Sequence, residues 1–194
     1  KSKGNTVSPD NFIDKYGSDT FRGYLMFMGP YDEGGDWNDK GISGISRFIV
    51  KLWKVCNLPK DNDKANKKDL NILHKTIYAL DKDLNELKFN TAISRLMECI
   101  NYFNNHKKLN INIINSIIKI SAPLFPHVCE ELWNIKSGKD SVFMQSFPNY
   151  DLNYIKEDEI TIAVQVNGKL RGDMIVSKDI DDKSLIQKAK SINN

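Results

Sequence analysis

One stretch limits the fold of this chain more than any other. Leu70, Leu73, Ile77, Leu80, Leu84 and Leu87 recur at alternating steps of three and four residues. That spacing lays them along one face of a helix predicted from about Asp69 to Lys88. A seam of about three heptads is too short for a free coiled coil, so its partners must be other helices of a bundle in the same chain. Such partners are present. Ile42, Ile45, Ile49, Leu52 and Cys56 form a second stripe, in a helix expected from Lys40, widened by Phe48 and Trp53. Arg47, Lys51 and Lys54 fall on its other side, and Asn57-Leu58-Pro59 ends it. Phe89, Ile93, Leu96, Ile100 and Phe103 make the inner face of a third helix, with Arg95 beside that face.

The segment from Ile111 to Ile120 is apolar on nearly every side, and periodicity alone admits a strand there. Its length and its place between helices favour a buried helix. Ala122 to His127 bends the chain into a helix with Pro126 in the first turn, Val128, Cys129, Leu132 and Trp133 inward, and Glu130 and Glu131 outward.

Ahead of the bundle, Ser8-Pro9-Asp10 reads as a cap, a first helical position and an acidic first-turn residue. Gly17-Ser18-Asp19 separates that helix from a second, whose Phe21, Tyr24, Leu25 and Met28 share a face. Tyr31 and Trp37 are expected to cover the underside of the acidic loop between Asp32 and Asp36. Lys60 to Lys68 reads as a charged linker anchored only by Ala65, and His106 as a solvated residue in a polar turn.

Beyond the helices the period changes. Val142, Met144 and Phe147 suggest an extended segment, followed by a linker from Asn149 to Asp158. Ile160, Ile162, Val164 and Val166 alternate with polar or small residues as in a half-buried strand. Asn167-Gly168 is a strong hairpin signal, and Leu170 to Val176 is the return strand. A helix with Leu185, Ile186, Ala189 and Ile192 inward follows Asp181. Two strands and one helix make little sheet for an independent domain, so this domain is expected to continue past Asn194. The fold class is mainly α: a helical bundle followed by a small α/β domain. The expected divisions are 1–36, 37–148 and 149–194.

A net charge of +3 permits a nucleic-acid partner without demanding one. Cys56, Cys99 and Cys129 are far apart, lack metal-ligand spacing and sit among apolar neighbours, as buried free thiols in a reducing compartment do. No apolar run is long enough for a membrane span. No nucleophile–base pair, metal cluster or glycine-rich phosphate loop is visible. The chemistry-bearing group is Lys1, with Lys3, on a glycine-containing basic loop that could place a compact charge on a phosphate. Taken alone, these few residues more often describe a solvated basic terminus.

Longer strings carry a resemblance. Lys1-Ser2 matches the last two letters of the KMSKS signature, and Lys3-Gly4-Asn5 its usual continuation. Asp19-Thr20-Phe21-Arg22, Met26 to Pro30, the loop from Asp32 to Trp37, Gly44 to Phe48, Leu73 to Ile77, Ala122 to His127, Glu130 to Trp133 and Val164 to Gly172 follow in order. Together they resemble the leucine-specific, bacterial-type branch of the class I aminoacyl-tRNA synthetase family.

The resemblance implies an α-helical anticodon-binding-type domain behind the KMSKS loop, then the start of a small C-terminal domain. It implies a parent ligase that attaches leucine to tRNA(Leu), uses ATP with Mg2+, and is a cytoplasmic monomer. The HIGH-bearing Rossmann domain and the editing domain would precede Lys1, so this chain reads as a C-terminal fragment with no catalytic residues, no metal and no cofactor of its own. Lys1 and Ser2 would contact ATP phosphates. His74, Lys75, Arg95, Lys169 and Arg171 are candidate contacts to the tRNA backbone, chosen on charge and location. The same region of a valine, isoleucine or methionine enzyme, or a helical protein-interaction scaffold, is the alternative.

Overall fold

The computed structural model describes residues 7–35, 37–137, 140–155, 159–177 and 180–191. The chain divides into two compact units, Lys1–Asp151 and Leu152–Asn194.

The first unit is a helical bundle. Its order is α1 (Asp10–Tyr16), α2 (Ser18–Phe27), α3 (Ile42–Cys56), β1 (Lys60–Asp61), α4 (Lys67–Asn85), α5 (Phe89–Phe103), β2 (Leu109–Asn110), α6 (Ile111–Ser121), α7 (Pro126–Ser137) and a 3₁₀ turn (Val142–Met144). The expected stripes form one core. Ile42, Ile45, Leu52, Leu73, Ile77, Leu80, Ile93, Leu96, Ile100 and Phe103 are all buried. α6 is a helix and not a strand, with Ile113, Ile114, Ile117, Ile118 and Ile120 buried. α2 packs closely on the bundle at Gly23, where a Cβ would stand 2.5 Å from the Phe125 ring. A side chain there would push α2 off the bundle. Trp37 packs edge-on to Phe12 of α1 and Tyr24 of α2.

Several boundaries differ from the sequence expectation, each for a specific physical reason. Ser8 does not cap α1: its hydroxyl donates to the Asp10 carboxylate at 3.0 Å, and the helix starts at Asp10. Asn66 caps α4 through Asp69 N–H (2.8 Å), so α4 starts at Lys67. It ends at Asn85 because Leu87 adopts φ 56° and Lys88 N–H donates to Asp83 C=O at 2.8 Å, a left-handed helix stop. Leu87 therefore leaves the seam and is exposed, as are Leu25, Trp53 and Tyr31. The 60–68 segment is not a loose linker. β1 pairs in parallel with β2, and Lys108 donates to Asp61 (3.0 Å) and Asp63 (3.3 Å). Residues 142–144 form a 3₁₀ turn, because Glu130 faces inward and accepts Val142 N–H (2.9 Å) and the Ser141 hydroxyl (3.0 Å).

The second unit contains α8 (Leu152–Ile155), β3 (Glu159–Val166), β4 (Lys169–Ser177) and α9 (Asp182–Lys190). Asn167 (φ 53°) and Gly168 (φ 76°) join β3 to β4 with both central residues left-handed, the turn that matches strand twist. Asp181 caps α9, accepting Lys183 N–H and Ser184 N–H at 3.0 Å each. Ile186 lies on the exposed side of α9, and Ile192 lies outside the described residues.

The hairpin contains a bulge. Gln165 pairs with Leu170, but Val164 pairs with Gly172, so Arg171 is the extra residue. The insertion decides which face is which. Without it Val164 and Ile162 would oppose Arg171 and Asp173, because a one-residue slip moves every side chain across the sheet. With it they oppose Gly172 and Met174, and the apolar face stays apolar.

Candidate nucleic-acid interface

The sequence-predicted residues separate into four places. Lys1 and Ser2 lie outside the described residues. Lys75 on α4 and Arg95 on α5 come together, lining a groove of about 250 Å³ between the two helices. His74 is next to Lys75 but is engaged elsewhere. Lys169 and Arg171 belong to the second unit, exposed at the turn end of the hairpin and in its bulge.

The α4–α5 groove is electrically mixed. Arg95 Nε donates to Asp83 Oδ2 at 2.6 Å, and the Asp83 side chain is only 6% exposed. A buried carboxylate requires a cation or hydrogen-bond donors, so Arg95 first stabilises Asp83. Glu98 and Tyr102 share the groove wall. Cys99 faces it, but burial pushes its thiol up to about 12, against a weaker opposing bond to Thr76. It therefore stays protonated and is no nucleophile at neutral pH.

His74 Nδ1 accepts the Asp151 N–H at 3.1 Å. A ring nitrogen that accepts is unprotonated, so the imidazole is neutral while this bond is made. Burial holds His74 below the usual histidine range, with Asp151 pulling the other way. In this state His74 offers a phosphate no charge.

Two polar centres escaped the sequence reading. The first is Asp69, buried at the start of α4. Its Oδ1 accepts the Tyr102 hydroxyl (2.9 Å) and His106 Nε2 (3.1 Å), and its Oδ2 accepts Asn66 Nδ2 (2.9 Å). His106 is therefore a bonded, half-buried residue and not a solvated one; its partner lies 37 positions upstream. Burial, then the bond and charge of Asp69, push the Tyr102 phenol up to about 12.

The second is Asp19. α7 begins at Pro126, and neither Phe125 nor Pro126 carries a side-chain acceptor for the first turn. Asp19 on α2 supplies it. Its carboxylate accepts Val128 N–H (2.8 Å), His127 N–H (3.3 Å) and His127 Nδ1–H (2.7 Å). It acts as an N-cap delivered from another helix and also meets the positive end of the α7 dipole. Asp19 and His127 each belong to a matched string, Asp19-Thr20-Phe21-Arg22 and Ala122 to His127, but nothing in the sequence paired the two strings.

Among the described residues no group of histidine, cysteine and carboxylate side chains is placed to hold a metal ion. No described helix is long and apolar enough to cross a membrane. What remains is a bundle of rigid helices carrying exposed cations, with paired carboxylates inside.

A family model of the anticodon-binding domain of tRNA ligases matches residues 66–187. The chain belongs to this family. Its relatives include proteins named leucine–tRNA ligase from Clostridium perfringens strain SM101 (37% identical over 95% of this chain) and Fervidobacterium nodosum (39% over 97%). A third, from Borrelia recurrentis, is 41% identical over 95% of this chain. The chain spans about a quarter of the length of these relatives, at 25%, 26% and 22%. The fold matches that of the Agrobacterium radiobacter K84 agnB2 LeuRS, solved in a ternary complex with tRNA and LeuAMS. The TM-score is 0.74 at 22% identity, covering 98% of this chain and 27% of that one.

Proposed function

We propose that this chain is the tRNA-binding C-terminal part of a leucine–tRNA ligase. The observation that carries the reading is sequence identity of 37–41%, running along nearly the whole chain, to proteins of that name. The parent would activate leucine with ATP and Mg2+, releasing pyrophosphate, and then pass the leucyl group to tRNA(Leu). The catalytic and editing parts would lie in the remainder of the parent. The helical unit would hold the tRNA by its backbone, which positions the RNA and does not read its sequence. Lys75, Arg95, Lys169 and Arg171 are candidates for that contact. Lys1 and Ser2 would contact ATP phosphates in the parent, stabilising charge without proton transfer.

The test is a titration of the chain with labelled tRNA(Leu) at about 50 mM and about 200 mM salt. Saturable binding that weakens steeply with salt is expected, as is the absence of ATP–pyrophosphate exchange by the chain alone. No saturable binding at either salt would sink the reading, and so would a parent enzyme that activates valine or isoleucine in preference to leucine. In the parent, Lys1→Ala should slow leucyl-adenylate formation and leave tRNA affinity nearly unchanged. Equal losses in both assays would remove Lys1 from the ATP site.

A further inference from the structure

The cations of the helical unit differ in what holds them. Arg95 is bonded to Asp83, Lys88 to Glu86, and Lys108 to Asp61 and Asp63. Each spends its charge on a carboxylate. Arg22 and Lys119 meet neutral groups singly, the Pro123 carbonyl and the Trp133 ring, whereas the outer face of α3 gathers such cations on one helix. Arg47 Nη1 donates to the Ser43 hydroxyl at 3.2 Å, and Lys51 Nζ donates to the Asn101 amide oxygen of α5 at 2.9 Å. Both acceptors are neutral, so they orient the two cations without cancelling them.

The sequence of α3 strengthens the contrast. Between Ile42 and Cys56 there is no carboxylate, and Arg47, Lys51 and Lys54 fall at steps of four and three on one exposed side. At about 1.5 Å rise per residue, Arg47 to Lys54 covers roughly 10 Å along the helix axis. That is a rigid ridge long enough to meet more than one phosphate. Val50 (66% exposed) borders this ridge, and Trp53 (39% exposed) lies further round the helix on the flank beyond Val50. A part-exposed indole on the flank of a basic ridge can stack on an unpaired base or a ribose.

We infer that the α3 ridge of Arg47, Lys51 and Lys54, with Trp53 beside it, is the principal phosphate-backbone docking surface of this unit for RNA, ahead of the α4–α5 groove. The inference rests on the tRNA-binding reading and adds to it the surface used. The groove cation Arg95 would have to abandon a buried carboxylate to serve a phosphate. Arg47 and Lys51 of the ridge abandon only neutral acceptors.

The experiment uses the full chain and labelled tRNA(Leu), with a triple variant Arg47→Gln/Lys51→Gln/Lys54→Gln compared with Lys75→Gln. Glutamine keeps helix propensity at these exposed sites, and an unchanged thermal melting curve confirms that the fold is intact. The triple variant should lose at least about tenfold in affinity at low salt, and its salt slope should fall by about 2–3, one unit per lost phosphate contact. Lys75→Gln should lose less than about threefold, well short of the slope change of three lost contacts. Trp53→Phe should abolish most of the tRNA-induced fluorescence quenching. If wild type binds and the triple variant keeps its affinity and slope, the ridge is overturned while the tRNA reading stands. Quenching undiminished in Trp53→Phe overturns the place of the indole in the ridge. If wild type shows no saturable binding, both proposals fall together.

Discussion

The two units solve the problem of stability differently. The helical unit buries Phe103, Phe125, Leu52, Ile93, Ile117 and many others completely. It then places carboxylates at the rim of that core: Asp19, Asp69 and Asp83 are each less than a tenth exposed and each is bonded to other helices or helix ends. Among its described residues the second unit has one two-stranded sheet and two short helices, and Val176 is its buried apolar side chain. Its order rests on local devices: the left-handed Asn167-Gly168 turn, the Arg171 bulge and the Asp181 cap. Non-local burial supports the first unit, and local backbone chemistry supports the second. A two-stranded sheet with little core is marginal by itself.

The contrast can be broken by experiment. Phe103→Ala removes a fully buried ring and should cost about 3–5 kcal/mol in the helical unit. Amide exchange should rise throughout α3 to α7 and stay at wild-type rates in β3 and β4. A parallel rise in the hairpin would mean that the two units melt as one. Asp19→Ala should cost about 2 kcal/mol, the upper range for a lost N-cap, with the fastest new exchange at His127 and Val128. A loss spread evenly over the bundle would reduce Asp19 to an ordinary buried residue.

Val176→Ala deletes about two methyl groups from a nearly unsupported core and should cost about 1–2 kcal/mol. The effect should be visible in the hairpin and absent from α3 to α7. The smallest expected effect is acid loss of the α9 cap. The Ser184 hydroxyl, followed by backbone N–H groups, holds the Asp181 carboxyl below its usual range. Its folded value is therefore lower than its unfolded one, so the stabilisation is present above the ordinary aspartate range and fades as pH falls through the folded value. Amide resonances of Lys183 and Ser184 should lose protection there first. A cap that survives complete protonation would assign α9 to packing instead.

How much could be read in advance follows the same division. Helical spacing identified α3, α4, α5 and α7, length and position between helices identified α6, and Asn-Gly identified the hairpin, because periodicity and turn chemistry are set by neighbours in the chain. The bulge was not legible: Arg171 has the residue type of a strand or a loop, and only pairing with β3 makes it the extra residue. His106 looked solvated because nothing near it in sequence is acidic, while Asp69 arrives from α4. Lys75 and Arg95 were legible as cations, but the competition for Arg95 by Asp83 was not.

The sequence by itself determined the helical bundle, the hairpin and the family, since side-chain spacing and ordered motifs survive without coordinates. Tertiary structure alone decided which charges are spent and which remain available. Asp19 reaches α7 across more than a hundred residues, and Lys51 meets Asn101 across fifty. A charge is neutralised by what lies within a few ångströms of it, and that distance is set by packing and not by position along the chain.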